Sequence, residues 1–210
     1  MSELQFTKSI YASVAHRYWN EQYSAEKNLE IYGADASEEG IGSNLRLELT
    51  VTGPSEAVLD APLAKLKSYV DHQCLFAPQF GRSPSTLENI TSELAHRLFD
   101  EEPPVGKWEA LRVWESENLA CTARREGLEL RFRVLNLLLD CKAPLNYETG
   151  LMLSRPIVRE KVNEVFFTSA PQNADQNLWS RQLFQELKAR LPSLIRLQID
   201  LGRQEYLLVE

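Results

Sequence analysis

Residues 44–52 alternate without a break. Leu45, Leu47, Leu49 and Val51 interleave with Arg46, Glu48, Thr50 and Thr52. A period of two puts every leucine and the valine on one face of an extended chain and the polar set on the other. The segment is therefore predicted to be a strand of a sheet that is covered on one side. Ile10, Ala12 and Val14 repeat the alternation more weakly and supply a hairpin partner. The intervening residues 20–43 are acidic and glycine- and serine-bearing towards their end, and they read as a loop.

After the turn Gly53-Pro54-Ser55 the period changes to that of a helix, with Leu63, Leu66, Val70 and Cys74 on one stripe. Asp60 is placed to cap its start. Leu87, Ile90, Leu94 and Leu98 form a second stripe, and Ser85 with Glu88 has the spacing of a capping box. Pro103-Pro104 ends that segment. Strands are predicted over 109–116 and 119–125, joined through Glu117-Asn118. The order is strand, strand, helix, helix, strand, strand.

The second half repeats much of this order. Leu128, Leu130, Phe132 and Val134 alternate with charged residues, and a shift of face at Leu135-Asn136 predicts a bulge. Helices over 154–167 and 175–191 and strands over 195–201 and 205–209, turning at Gly202-Arg203, complete it. Glu93-Leu94-Ala95-His96-Arg97-Leu98 and Glu186-Leu187-Lys188-Ala189-Arg190-Leu191 hold matching places. The expected organisation is a duplication: a unit over 1–126 and a shortened unit over 127–210 that has lost its opening strand and carries none of the site motifs.

Charge and composition narrow the function classes. With 23 Lys and Arg against 30 Asp and Glu, the formal net charge is −7. That balance, without a basic block, argues against nucleic acid or an anionic membrane as partner. No apolar run approaches the roughly 20 residues of a membrane span, and the first residues lack signal-peptide character. Three cysteines, Cys74, Cys121 and Cys141, without Cys-x-x-Cys spacing, are expected to be reduced thiols of a cytoplasmic protein.

Four motifs stand in a suggestive order: Ala15-His16-Arg17, Asp71-His72, Pro84-Ser85-Thr86-Leu87-Glu88-Asn89 and Glu115-Ser116. Together they resemble the 6-pyruvoyltetrahydropterin synthase and 6-carboxytetrahydropterin synthase family. The resemblance covers about the first 125 residues. It implies an α+β tunnelling fold, here of two tandem units, each an antiparallel sheet with a pair of helices on one face. It also implies a homo-oligomer, with a dimer favoured, and ligand pockets between subunits.

In that family a glutamate at the place of Glu115 grips the pterin ring, and Ser116 keeps the hydroxyl of the threonine that usually follows. A carboxylate suits the task because it only accepts hydrogen bonds and can do so through both oxygens. By the same resemblance Asp71 and His72 form a proton-transfer pair, Glu88 contributes to the ligand site, and His16 is a zinc ligand. The family's remaining ligands and its nucleophile come from a segment of the form Cys-x-x-x-His-Gly-His-Asn. This chain has Ser37-Glu38-Glu39-Gly40-Ile41-Gly42-Ser43-Asn44 there. A catalytic zinc site needs about three protein ligands, so no metal and no cofactor are expected. The sequence leaves three readings open. One is a zinc-free relative that holds a pterin or purine-like ring without running the family reaction. Another is a metal-free enzyme of pterin-aldolase type, using Asp71 and His72. The third is a structural or partner-binding module.

Overall fold

The computed structural model describes residues 4–76, 84–101, 107–168, 176–202 and 205–209. Pro103-Pro104, Arg203 and the first three residues lie outside that set. Nine strands form a single sheet. In chain order they are β1 (Leu4–His16), β2 (Ile41–Gly53), β3 (Gln73–Cys74), β4 (Lys107–Ser116), β5 (Leu119–Arg124), β6 (Gly127–Val134), β7 (Leu137–Lys142), β8 (Leu194–Gly202) and β9 (Glu205–Val209). Their order across the sheet is β3-β1-β2-β4-β5-β6-β7-β8-β9. Neighbours are antiparallel, except that the two-residue β3 runs parallel to β1 beside Val14 and Ala15.

Alternation on β2 does what its period dictates. Leu45, Leu47, Leu49 and Val51 are fully buried, together with Leu111, Val113, Leu130, Leu137, Leu139, Leu197 and Ile199 from neighbouring strands. Helices α2 (Asp60–Val70), α3 (Leu87–Glu101), α4 (Arg155–Thr168) and α5 (Gln176–Arg190) supply the other side of this core. Their buried residues follow helical spacing: Leu63, Leu66 and Val70; Leu87, Ile90, Leu94 and Leu98; Val158, Val162 and Val165; Leu183 and Leu187. On the opposite face the polar set forms a ladder of charges. Arg112 lies 3.6 Å from Glu48, Arg131 bonds Asp140 through both its Nε (2.6 Å) and Nη2 (2.7 Å), and Arg46 stacks 4.5 Å from the centre of the Trp114 ring.

Several local expectations are corrected. Residues 20–43 are not all loop, because α1 (Ala25–Tyr32) forms within them. The Ser24 hydroxyl caps it by accepting from the Lys27 N–H, and Gly33 stops it at a φ of 61°. Cys74 belongs to β3 rather than to the stripe of α2. Asp60 is the first residue of α2, not its cap, and its carboxylate accepts from Lys8 at 2.6 Å. Thr86, not Ser85, caps α3: its hydroxyl accepts from the Asn89 N–H at 3.3 Å. The face change at Leu135-Asn136 is a tight hairpin between β6 and β7, with Leu135 at φ 55°, instead of a bulge. Residues 127–209 consequently run strand, strand, helix, helix, strand, strand, with the opening strand present. No helix among the described residues is long and apolar enough to cross a membrane.

Candidate functional site

The end of β1, the start of β2 and the end of β4 are neighbours in the sheet, so His16, Ser43 and Glu115 converge on the helix-covered face. His16 is fully buried. Its Nε2 lies 3.1 Å from the Ser43 hydroxyl and 3.9 Å from Glu115 Oε1, and its Nδ1 lies 3.2 Å from the Ser85 carbonyl. Burial holds the imidazole below its usual range, against the pull of the Glu115 carboxylate. Glu115 owes its placement to a break in the ladder. β4 and β5 pair at Trp114 with Ala120 and again at Ser116 with Leu119, and the register skips Glu115 between them. Such irregularities re-aim a side chain.

Glu115 Oε2 accepts from the Tyr18 hydroxyl at 2.6 Å. Burial pushes the Tyr18 phenol well above its usual range, so it stays a donor. The same phenol oxygen accepts from Arg155 Nη2 at 3.0 Å. Arg155 also donates to Glu88 Oε2 at 3.2 Å and to Asp35 at 3.1 Å. Its guanidinium carbon sits 4.6 Å from the centre of the Tyr18 ring. Glu88 is wholly enclosed; burial raises its carboxyl above the ordinary range, and the guanidinium opposes that rise.

Of the sequence-predicted residues, His16, Glu88 and Glu115 are therefore drawn into one network. The capping-box account of Glu88 is replaced by a buried ion pair. Ser85 instead accepts from the Arg17 N–H at 2.9 Å. Ser116 is exposed at the β4–β5 turn, where its hydroxyl accepts from the Asn118 N–H at 3.2 Å. Asp71 and His72 lie elsewhere in this chain. Asp71 accepts from the Ser13 N–H at 2.8 Å, and that bond, followed by Lys67, holds its carboxyl below the usual range. His72 stands at φ 57° with its side chain 81% exposed, and its Nε2 is 3.9 Å from Asp71. Ser13 is three residues before His16, roughly 10 Å along an extended strand.

Sequence reasoning did not find Tyr18, Asp35 or Arg155. Tyr18 had a trace, as an aromatic two residues beyond His16 in the same alternation. Arg155 had none, since it is delivered from the far half of the chain. A cavity of about 420 Å³ beside α3 is lined by Tyr69, Leu75, Ser85, Asn89, Ile90 and Arg97, among others; Glu115 is not in its wall.

The residues do not fit a catalytic zinc. Ile41, paired with His16 across the strands, has no donor atom, and Ser43 offers a neutral hydroxyl already engaged with the imidazole. One imidazole and one carboxylate remain where about three ligands are required. Among the described residues no group of three or more His, Cys, Asp or Glu is arranged to hold a metal ion.

Sheet order, helix pairs on one face and a strand-end carboxylate define an α+β protein of the tunnelling-fold class. No family model matches the chain. The curated 6-pyruvoyl tetrahydrobiopterin synthase of Homo sapiens is 29% identical over 128 residues, 55% of this chain and 88% of that protein, and the Pongo abelii protein is 28% identical over the same extent. The solved Caenorhabditis elegans 6-pyruvoyl tetrahydropterin synthase shares the fold at a TM-score of 0.53 and 21% identity, over 59% of this chain and 96% of that one. Over 55% of its length the chain is thus similar to 6-pyruvoyl tetrahydrobiopterin synthases, and it shares the fold of the solved synthase.

Proposed function

We propose that this chain binds a pterin or a similar planar, N–H-rich heterocycle through Glu115 and has lost the zinc-dependent lyase reaction. The observation that supports the reading is the state of Glu115. One oxygen is fixed by Tyr18, yet the side chain is 16% exposed and carries lone pairs beyond those that Tyr18 and His16 face. An ionised carboxylate offers about four acceptor positions, so it can take adjacent ring N–H donors. Without the Lewis acid, several kcal/mol of transition-state stabilisation are forfeited. Ser37, at the place of the family cysteine, is no substitute base.

The chain is read as two tandem units, 1–126 and 127–210. The outer side of β9 and of most of β1 are free edges among the described residues, and open edges favour association. We therefore infer a homodimer, with a cytoplasmic location that suits three free thiols. A second reading rests on Asp71, whose carboxylate is fixed beside an exposed His72. In an assembly that pair would act as metal-free acid and base on a ring held by another copy's Glu115.

The test is thermal stabilisation by a panel of pterins and purines, with elemental analysis for zinc. Stabilisation by pterins that disappears in Glu115→Gln, without bound zinc, supports the binding reading. Turnover that survives chelators and is lost in His72→Ala supports the second. Neither stabilisation nor turnover overturns both.

A further inference from the structure

We propose that Arg155, supplied by the second half of the chain, is the positioning residue that aims Glu115 at its ligand by acting through Tyr18. The inference rests on the ligand role given to Glu115 above.

A guanidinium carries only donors. Its Nη2 donates to the Tyr18 oxygen at 3.0 Å, and that oxygen has a single hydrogen of its own. Because Arg155 cannot accept it, the phenolic hydrogen must turn towards another acceptor. Glu115 Oε2 stands 2.6 Å away. Arg155 is 4% exposed and Tyr18 1%, so bulk water does not compete for either bond. The direction of the hydroxyl is thereby fixed. One Glu115 oxygen is committed to Tyr18, and the other is left for a ligand.

Arg155 is itself held in place across the two halves. In the loop that leads into α4, the Glu148 carbonyl accepts from Asn20 Nδ2 at 2.8 Å and the Thr149 carbonyl accepts from the Tyr32 hydroxyl at 2.7 Å. The Gly150 carbonyl accepts from the Thr86 hydroxyl. Next to Arg155, Pro156 packs so tightly on Gly33 that a Cβ there would lie 2.7 Å from its ring. Asp35, just past that glycine, takes the other side of the guanidinium at 3.1 Å. These contacts deliver a residue of the second half into the site of the first, 137 positions from Tyr18.

The experiment uses the full chain with labelled tyrosine. Proton NMR observes the slowly exchanging Tyr18 hydroxyl, assigned by its absence in Tyr18→Phe, and calorimetry measures affinity for a pterin that binds the wild type. Arg155→Met leaves Glu88 buried alone, so the double variant Glu88→Met with Arg155→Met, which removes both charges, is read beside it. Cooperative melting verifies folding. The hydroxyl resonance should vanish in both variants, and pterin affinity should weaken about tenfold or more. Arg155→Lys, which restores a charged donor, should recover the resonance and an intermediate affinity. A folded double variant that keeps the resonance, or that binds as the wild type does where Glu115→Gln has lost binding, overturns the proposal. If the wild type binds no pterin, the ligand reading falls, and the resonance alone decides whether Arg155 directs Tyr18.

Discussion

The Tyr18 hydroxyl donates to the Glu115 carboxylate across 2.6 Å, although 97 residues separate them in the chain. β1 carries the first residue towards the site and β4 ends at the second, with only β2 between them in the sheet. His16, at the place of a metal ligand in the resembled family, stands beside that bond with its Nε2 3.9 Å from the other Glu115 oxygen. Here the imidazole faces a serine and a carboxylate, and the charge that meets the acids is a guanidinium.

Removing that guanidinium strands a buried acid. Glu88 is fully enclosed and Arg155 nearly so. Arg155→Met is expected to cost about 3–5 kcal/mol, the range for breaking a buried ion pair by deleting one partner. Glu88→Met with Arg155→Met should recover most of the loss. Chemical denaturation of the three proteins measures this; a single variant as stable as the wild type contradicts the pairing.

Gly150 has a φ of 70°, and an added Cβ would lie 2.7 Å from Asn89 Nδ2 and 2.8 Å from Thr86 Oγ1. Gly150→Ala combines a left-handed backbone strain of about 1–3 kcal/mol with a push on the cap of α3. A fall in stability of that order is expected in denaturant titrations, together with weaker ligand binding because Glu88 sits in the same turn. An unchanged midpoint contradicts it.

His16 gives a pH dependence of definite sign. Its folded pKa lies below the ordinary 6.5, chiefly through burial. As pH falls below 6.5 the unfolded chain takes up a proton that the folded chain refuses, so stability declines, by at most about 1.4 kcal/mol per pH unit. Glu88 works in the opposite direction, since its raised pKa adds stability that is lost as pH climbs above 4.5. Comparing wild type with His16→Gln between pH 7.5 and 5 isolates the first effect. The wild type should lose stability more steeply; parallel profiles contradict the assignment.

Much of this architecture was legible, for reasons that differ by element. β2 announced itself because one of its faces is sealed, which forces strict alternation. The stripes of α2 and α3 were visible because each helix buries one side. α1 was not, since its buried residues are Asn28 and Tyr32, and an asparagine inside reads as loop. Asn28 is tolerated there because it accepts from the Asn20 N–H at 2.8 Å and donates back to the Asn20 carbonyl. The β6–β7 hairpin was hidden by a two-residue turn without glycine. His16, Glu88 and Glu115 could be chosen from motif order, whereas Arg155 depends on a long-range placement that no local pattern encodes.

The zinc account can be tested by reconstruction. Ile41 is the cross-strand partner of His16, and Ser43 already meets its Nε2. Ile41→His with Ser43→His puts three imidazoles on one face of the hairpin, enough for a catalytic-type site. The double variant should bind one zinc ion and melt higher with zinc than with chelator, while the wild type is indifferent to either. Equal zinc uptake by both proteins contradicts the fit argued here.

Calorimetric titration of a pterin into chelator-treated protein, wild type against Glu115→Gln, tests the central claim most directly. Saturable binding by the wild type that falls at least about tenfold in Glu115→Gln, with both proteins equally folded, is the expected result. Binding that requires added zinc, or that is indifferent to Glu115, contradicts a carboxylate-anchored site without a metal.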